Sequence, residues 1–211
     1  MIRAAGRDDL DAIVELHCRV LDWSINGRLG PAHVRKMYEA LLGHPDSVAF
    51  VASRNDRIMG FMVASTDYRK ARARLKANLG LAGTLRVLWG SLFHPLDWID
   101  LAESLTVVTW AMRSSGCSAE LLAWVTDPAD VRGRLAAAQC MFSALDELRK
   151  RGHDNCLAQI LISNEGPNRF HERIGSRVLA SFIRNKVYLV NCRQSHDGPQ
   201  SRVATVRSGQ S

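Results

Sequence analysis

Apolar and polar residues change their spacing along this chain in a way that separates helices from strands. Between Asp8 and Leu21, Leu10, Ile13, Val14, Leu16, His17 and Val20 form one apolar side, which predicts an amphipathic helix. Ile2–Ala5 reads as a strand before it, and a second helix is predicted from about Pro31 to Leu42. Two apolar runs, Val48–Ser53 and Ile58–Ser65, flank the polar Arg54-Asn55-Asp56-Arg57, the pattern of an antiparallel hairpin. Glu120–Val125 is a short, mostly apolar run without helical caps, which suits a buried strand, and Thr126-Asp127-Pro128 breaks it. From Arg134 to Arg151, Leu135, Ala138, Met141, Phe142, Leu145 and Leu148 form one stripe, while Gln139, Asp146, Glu147, Arg149 and Lys150 face water. Gly152 is placed to stop that helix. Leu157–Ile162 gives the next buried strand, Pro167 fits the first turn of a helix finishing at Ile174-Gly175, and Val178–Val190 supplies the last strands. The segment Asn191–Ser211, rich in Ser, Gln and Arg, is expected to be disordered.

The chemistry of the second half begins at Arg132-Gly133-Arg134. A helix opening there would present unpaired backbone N–H groups and the positive end of its dipole, and the two arginines add charge, so the site suits a pyrophosphate. No G-x-G-x-x-G follows the strand, which disfavours a dinucleotide-binding fold. Asp127-Pro128, Arg132-Gly133-Arg134, Arg151-Gly152 and Asn164-Glu165 stand in register from Ala119 to Ser176, ahead of Ile174-Gly175. This order resembles the acyl-CoA-binding core of the GNAT superfamily of N-acetyltransferases.

The resemblance implies an α/β fold: a mixed, mostly antiparallel central sheet flanked by helices. The sheet would be splayed between the Ala119 and Asn155 strands so that the pantetheine arm of acetyl-CoA enters as a pseudo-strand. It implies transfer of an acetyl group to a small-molecule amine. By the same resemblance Glu120 is the candidate general base, and the backbone near Val125 would orient the acyl carbonyl. Arg132, Gly133, Arg134, Leu135, Ala136 and Ala137 would form the pyrophosphate loop, and Asn164 would meet the cofactor arm. His171 stands where the family usually has a tyrosine that protonates the departing thiolate; an imidazolium is expected to take that role. Gly60 matches a glycine of the family's third strand. Leu135 stands in place of a customary glycine and Ser176 in place of a phenylalanine. Two other readings are an acyltransferase for a longer acyl-CoA, with Ser176 and the insertion making room, and a GNAT-fold binding protein without catalysis.

Composition narrows the setting. The 211 residues, 46% of them hydrophobic, suit one domain over residues 1–190. No cleavable signal is read ahead of the first strand. Five cysteines without a C-x-x-C or zinc-ligand spacing suggest a reduced, cytoplasmic protein without structural metal. An insertion of about residues 68–118 separates the third and fourth core strands. From Tyr68 to Leu96 it holds Arg69, Lys70, Arg72, Arg74, Lys76 and Arg86 and no Asp or Glu, within a chain of net charge +7. Ala71, Leu75 and Leu79 share a face opposed to the basic cluster, and Leu85, Leu88, Trp89, Leu92 and Phe93 follow. The segment is read either as a lid with solvated charges or as a peripheral contact with an anionic membrane through residues 69–93, at the inner membrane face. Arg86, His94, Pro95 and Asp97 interrupt it too often for a membrane span. Nucleic-acid binding is not expected, because stacking aromatics are not interleaved with the basic residues.

Overall fold

The computed structural model describes residues 1–55, 57–92, 94–127 and 131–193, without the side chains of 131–134. Among them seven strands form one sheet: β1 (Ile2–Ala4), β2 (Ser47–Arg54), β3 (Arg57–Ser65), β4 (Glu120–Thr126), β5 (Asn155–Leu161), β6 (Arg177–Ser181) and β7 (Asn185–Asn191). Their order is β1-β2-β3-β4-β5-β7-β6, antiparallel throughout except for the parallel β4 and β5. The helices are α1 (Leu10–Val20), α2 (Ile25–Arg28), α3 (Pro31–Glu39), α4 (Tyr68–Ser91), α5 (Pro95–Ser115), α6 (Val131–Lys150) and α7 (Glu165–Arg173). The expected mixed, mostly antiparallel sheet with flanking helices is therefore observed. The short helix α2 was not anticipated. β7 runs through Asn191 and Cys192 is buried behind it, so those residues do not belong to a tail; residues 194–211 lie outside the described residues.

The periodic stripes pack as their spacing requires except at Leu135, which the spacing put on the sheet side of its helix and which is exposed at the helix's outer end. On one face, Ile13, Leu16, Val34, Tyr38 and Ala71 from α1, α3 and α4 meet Val51, Phe61 and Val63. On the other, Met141, Leu145 and Leu148 of α6 meet Met62 and Leu121, with Phe170 of α7 and Ile174 just after it alongside. The insertion does not behave as a lid over its whole length. Val107, Val108, Ala111 and Met112 of α5 form a core cluster with Leu157 and Val187. Buried Glu103 of α5 accepts hydrogen bonds from the amides of Ile183 and Arg184 and from Asn185 Nδ2, tying the β6–β7 turn to the helix.

Two features of the central strands determine the geometry at the middle of the sheet. Val63 pairs with Ala123 but Ala64 pairs with Leu121, so Leu122 is an extra residue, a β-bulge in β4. Leu122 and Ala123 consequently pack toward the α1 and α3 face, while Leu121 and Trp124 belong to the α6 face. The second feature is Gly60 in β3. A Cβ there would lie 3.1 Å from the Val125 carbonyl oxygen and 3.3 Å from Ala137 Cβ of α6, so the glycine sets how closely α6 approaches the sheet. Both neighbours are held in packed elements. Gly60→Val is expected to destabilise the protein by about 1–3 kcal/mol through overpacking, read from the urea midpoint; an unchanged midpoint would show that α6 can retreat freely.

Candidate functional site

The bulge reverses which backbone groups β4 turns toward β5. Ahead of it, the Ala119 carbonyl accepts from the Leu157 amide (2.9 Å), and β4 and β5 are in register at Glu120 with Leu157 and Leu121 with Ala158. Beyond Leu121 this pairing stops and the strands diverge. After the bulge, the Asp127 amide donates to Met59 O (2.8 Å), and Phe61 faces Val125. By the alternation of an antiparallel ladder, the amides and carbonyls of Val125 and Asp127 are used by β3, whereas those of Trp124 and Thr126 point to the open side. The expectation for the backbone near Val125 is thus refined: its immediate neighbours, not Val125 itself, offer hydrogen bonds into the splay. Thr126 Oγ1 is buried without a hydrogen-bond partner.

At the carboxyl end of β4, Asp127 is buried and receives Arg19 of α1 at 3.0 Å and Arg57 of β3 at 2.9 Å, fixing where the chain leaves the sheet. α6 is helical from Val131, the first described residue after Asp127, so the helix is already formed ahead of the expected Arg134 start. Arg132, Gly133 and Arg134 belong to its amino-terminal part; their side chains lie outside the described residues. Leu135 is 66% exposed, so its side chain points to solvent. Ala136 packs on the core, and buried Ala137 faces Gly60 and accepts the Trp124 indole N–H at 2.9 Å. Trp124 also meets Phe170 of α7 with ring centroids 4.7 Å apart, so one side chain links α6 and α7 across the splay. Neither contact was anticipated from the sequence; an aromatic within a short apolar strand was its only signal.

Asn164 occupies the N-cap position of α7, but its side chain makes no capping hydrogen bond. Asn168 does the structural work instead, donating to the carbonyls of Leu161 (2.8 Å) and Asn164 (2.7 Å) while its Oδ1 accepts the Tyr188 hydroxyl (2.9 Å).

On the α1 and α3 side the splay opens into a cleft of about 730 Å³, walled by Leu122, Ala123, Gln159 and Leu161 and rimmed by Trp23, Arg28, Leu96 and Arg184. Glu120 sits in it, 5% exposed. Its Oε1 lies 3.6 Å from an Arg72 guanidinium nitrogen, while its Oε2 and Arg72 Nε are buried without hydrogen-bond partners. Burial lifts the Glu120 carboxyl above its ordinary range, and Arg72 offsets part of that. Asp97 pairs with Arg28, and Asp100 with Arg184 at 2.7 Å. Glu120 and Arg72 thus combine a charge pair with unused hydrogen-bonding capacity on both partners.

His171 is placed differently from the sequence expectation. It is 1% exposed, stacked on Tyr188 with ring centroids 5.1 Å apart, and its Nδ1 lies 3.2 Å from Ser176 Oγ. Burial pulls its pKa down to about 4, so the ring is neutral at pH 7 and holds no imidazolium proton to deliver. Ser176, which stands in place of the family's phenylalanine, is its hydrogen-bond partner.

These elements have known counterparts. The aminoglycoside 6′-acetyltransferase type Ii aligns over 91% of this chain and 97% of its own, with a TM-score of 0.56 and 12% identity. The PaiA N-acetyltransferase from Thermoplasma acidophilum, solved in complex with coenzyme A, aligns over 90% of this chain and 98% of its own, with a TM-score of 0.54 and 13% identity. The GNAT domain of S. lividans PAT aligns over 90% of this chain and 89% of its own, with a TM-score of 0.55 and 16% identity. No family model and no curated protein sequence matches the chain. The fold is that of the GNAT N-acetyltransferases.

The buried histidines have a measurable consequence. His171 and His17, the latter with Nδ1 2.8 Å from the Tyr38 hydroxyl, both titrate at about 4 when folded, against 6.5 ordinarily. Their contribution is complete above pH 6.5 and is lost as the pH falls toward 4, because the unfolded chain binds protons that the folded one refuses. Urea unfolding between pH 7 and 4 should show stability falling by up to about 2.7 kcal/mol per pH unit from this pair, and His171→Phe should remove about half of that slope. An unchanged slope in that variant would mean the His171 imidazole is already charged in the folded protein.

Proposed function

We propose that the protein is an N-acetyltransferase that moves the acetyl group of acetyl-CoA to an amine. The observation that carries this reading is the juxtaposition, across one bulge, of a β4 edge with unused hydrogen-bonding groups and a buried carboxylate of raised pKa facing a cleft. The residues fit the donor. The Trp124 and Thr126 main chain can pair with an amide-bearing arm, the orphaned Thr126 Oγ1 supplies a further polar contact, and the amino-terminal part of α6 suits a pyrophosphate. Arg132 and Arg134 are the side chains suited to its charge, and Asn164 has an amide not used for capping. Acetyl-CoA supplies a thioester, whose carbonyl an amine can attack.

The rest is done by the chain. Glu120 takes a proton from the acceptor's ammonium group, directly or through water; a carboxylate whose pKa burial raises is a better base than an ordinary one. Arg72 opposes that rise and favours the ionised form. The neutral His171 is a positioning residue in this reading, holding α7 against β7 with Ser176 and Tyr188. A thiol leaving group, with a pKa near about 8.5 for its class, departs as thiolate and takes its proton from water. Arg28, Arg72 and Arg184 match Asp97, Asp100 and Glu120 in number, so the cleft has no excess of negative charge to attract a polycation.

Two measurements test this. Acetyl-CoA should raise the melting temperature, by the equivalent of about 2.7 kcal/mol at a hundred times its Kd; no shift would remove the donor from the reading. With an amine acceptor identified by screening, Glu120→Gln should lower kcat by about 10²–10⁴ and abolish the acid limb of the rate profile. Arg72→Met should move that limb to higher pH, since it removes the partner that lowers the Glu120 pKa. His171→Phe should retain most of kcat; a loss as large as that of Glu120→Gln would restore the histidine as the acid.

A further inference from the structure

The second half of α4 is turned inside out. Gly80 breaks the helix with φ 62° and ψ −170°. Beyond it the least exposed positions are Gly83, Val87 and the buried Ser91. A Cβ on Gly90 would meet Leu29 Cδ2, ahead of α3, at 2.9 Å. The close approach of Leu29 and the burial of Ser91 set the rotation of the helix and turn its leucines outward. Leu81, Leu85, Leu88 and Leu92, at three- and four-residue spacing, form one exposed stripe, with Leu81 at 77%. Trp89, 74% exposed, lies beside them, and across the short turn into α5 Leu96 and Trp98 are exposed as well. The lid reading, with apolar residues inward and charges outward, fails for this half of the helix.

The charges select the occupant. Arg72 and Arg74 are not available to it, since Arg72 pairs with Glu120 and Arg74 makes a two-pronged bond to Asp46 at 2.7 Å. Arg69, Lys76 and Arg86 are exposed, and the segment from Tyr68 to Leu96 has no acidic residue to oppose them. A second copy related by a two-fold axis would set like charges against one another. A surface that accepts leucine, keeps indole rings at its polar boundary and carries negative charge satisfies all three requirements. We propose that this face docks on an anionic lipid bilayer. Leu81, Leu85, Leu88 and Leu92 enter the acyl boundary, Trp89 and Trp98 sit at headgroup depth, and Lys76 and Arg86 meet phosphates. Among the described residues no helix is long and apolar enough to cross a membrane, and the contact is peripheral. Leu96 belongs both to this surface and to the rim of the Glu120 cleft, so the docked protein would hold the cleft close to the bilayer.

The experiment is co-sedimentation of the full chain with vesicles of phosphatidylcholine alone or mixed with phosphatidylglycerol, at low and high salt. The protein should sediment with the mixed vesicles at low salt, and salt should weaken this without abolishing it, because burial of the leucines is not screened. Leu85→Ser combined with Leu88→Ser and Trp89→Ser should reduce partitioning at least about ten-fold with an unchanged melting temperature. Lys76→Gln with Arg86→Gln should remove roughly ten- to thirty-fold of the preference for phosphatidylglycerol and leave binding to neutral vesicles as it was. Failure of the wild-type protein to sediment at low salt, or equal sedimentation by the serine variant, would overturn the proposal. So would a dimer dissolved by the serine variant, or capture of a polyglutamate peptide, in protein that ignores vesicles.

Discussion

One additional residue in β4 governs the arrangement of the centre. A regular β4 would keep its register with β3 and continue its parallel pairing with β5, leaving no edge between them. With Leu122 inserted, the strand keeps its bonds to β3 on both sides of the bulge but changes which residues face β5. The pairing to β5 ends at Leu121, and the two strands part over the remainder of β4. The surroundings of the site depend on that parting. Trp124 reaches α6 and α7 on one face, the cleft opens beside Leu122 and Ala123 on the other, and Thr126 is left with an unmatched hydroxyl.

The parting would be of little use if the surrounding pieces were loose. Asp127 with Arg19 and Arg57 anchors the exit of β4, and Gly60 lets α6 lie close against the sheet beneath it. Glu103 and Asn168, both buried and fully engaged, hold the β6–β7 turn and the start of α7. Glu120 differs from them. It is as buried as Glu103, yet one of its oxygens has no partner and its cation stands 3.6 Å away. Burying a carboxylate in that state is costly, which is why its proton affinity rises. Of the acids lining the cleft, Asp97 and Asp100 are closely paired with Arg28 and Arg184, and Glu120 keeps an oxygen without a partner.

The periodicity of the chain made most of the elements legible, because a stripe such as Met141, Leu145 and Leu148 has one sensible use. The order of turn markers from Ala119 to Ser176 pointed to the GNAT fold for a similar reason: each marks a place where the backbone must change direction. Three things were not legible. The bulge depends on register between β3 and β4, which no local pattern in Glu120–Thr126 declares. The burial of His171 depends on Tyr188 and Ser176 coming around it, and a histidine on a helix reads alike whether it faces water or another ring. The outward turn of Leu81, Leu85, Leu88 and Leu92 depends on Leu29 pressing against Gly90, a contact between residues far apart in sequence. The same leucines inward would have given the same periodicity.

Gly80 gives the two halves of α4 separate fates. Its backbone conformation belongs to a region that other residues essentially do not occupy, so the helix is interrupted by a sharp break at one residue and not by a gentle bend. On one side Arg72 and Arg74 are paired with Glu120 and Asp46; on the other the helix carrying the leucine stripe meets Leu29 at Gly90. A continuous helix would carry the direction set by Arg72 and Arg74 on into the leucine stripe. With the break at Gly80 each half takes its direction from its own contacts, the inner one from the carboxylates of Glu120 and Asp46 and the outer one from Leu29 against Gly90, so the orientation of the stripe is decoupled from the geometry at the base of the cleft.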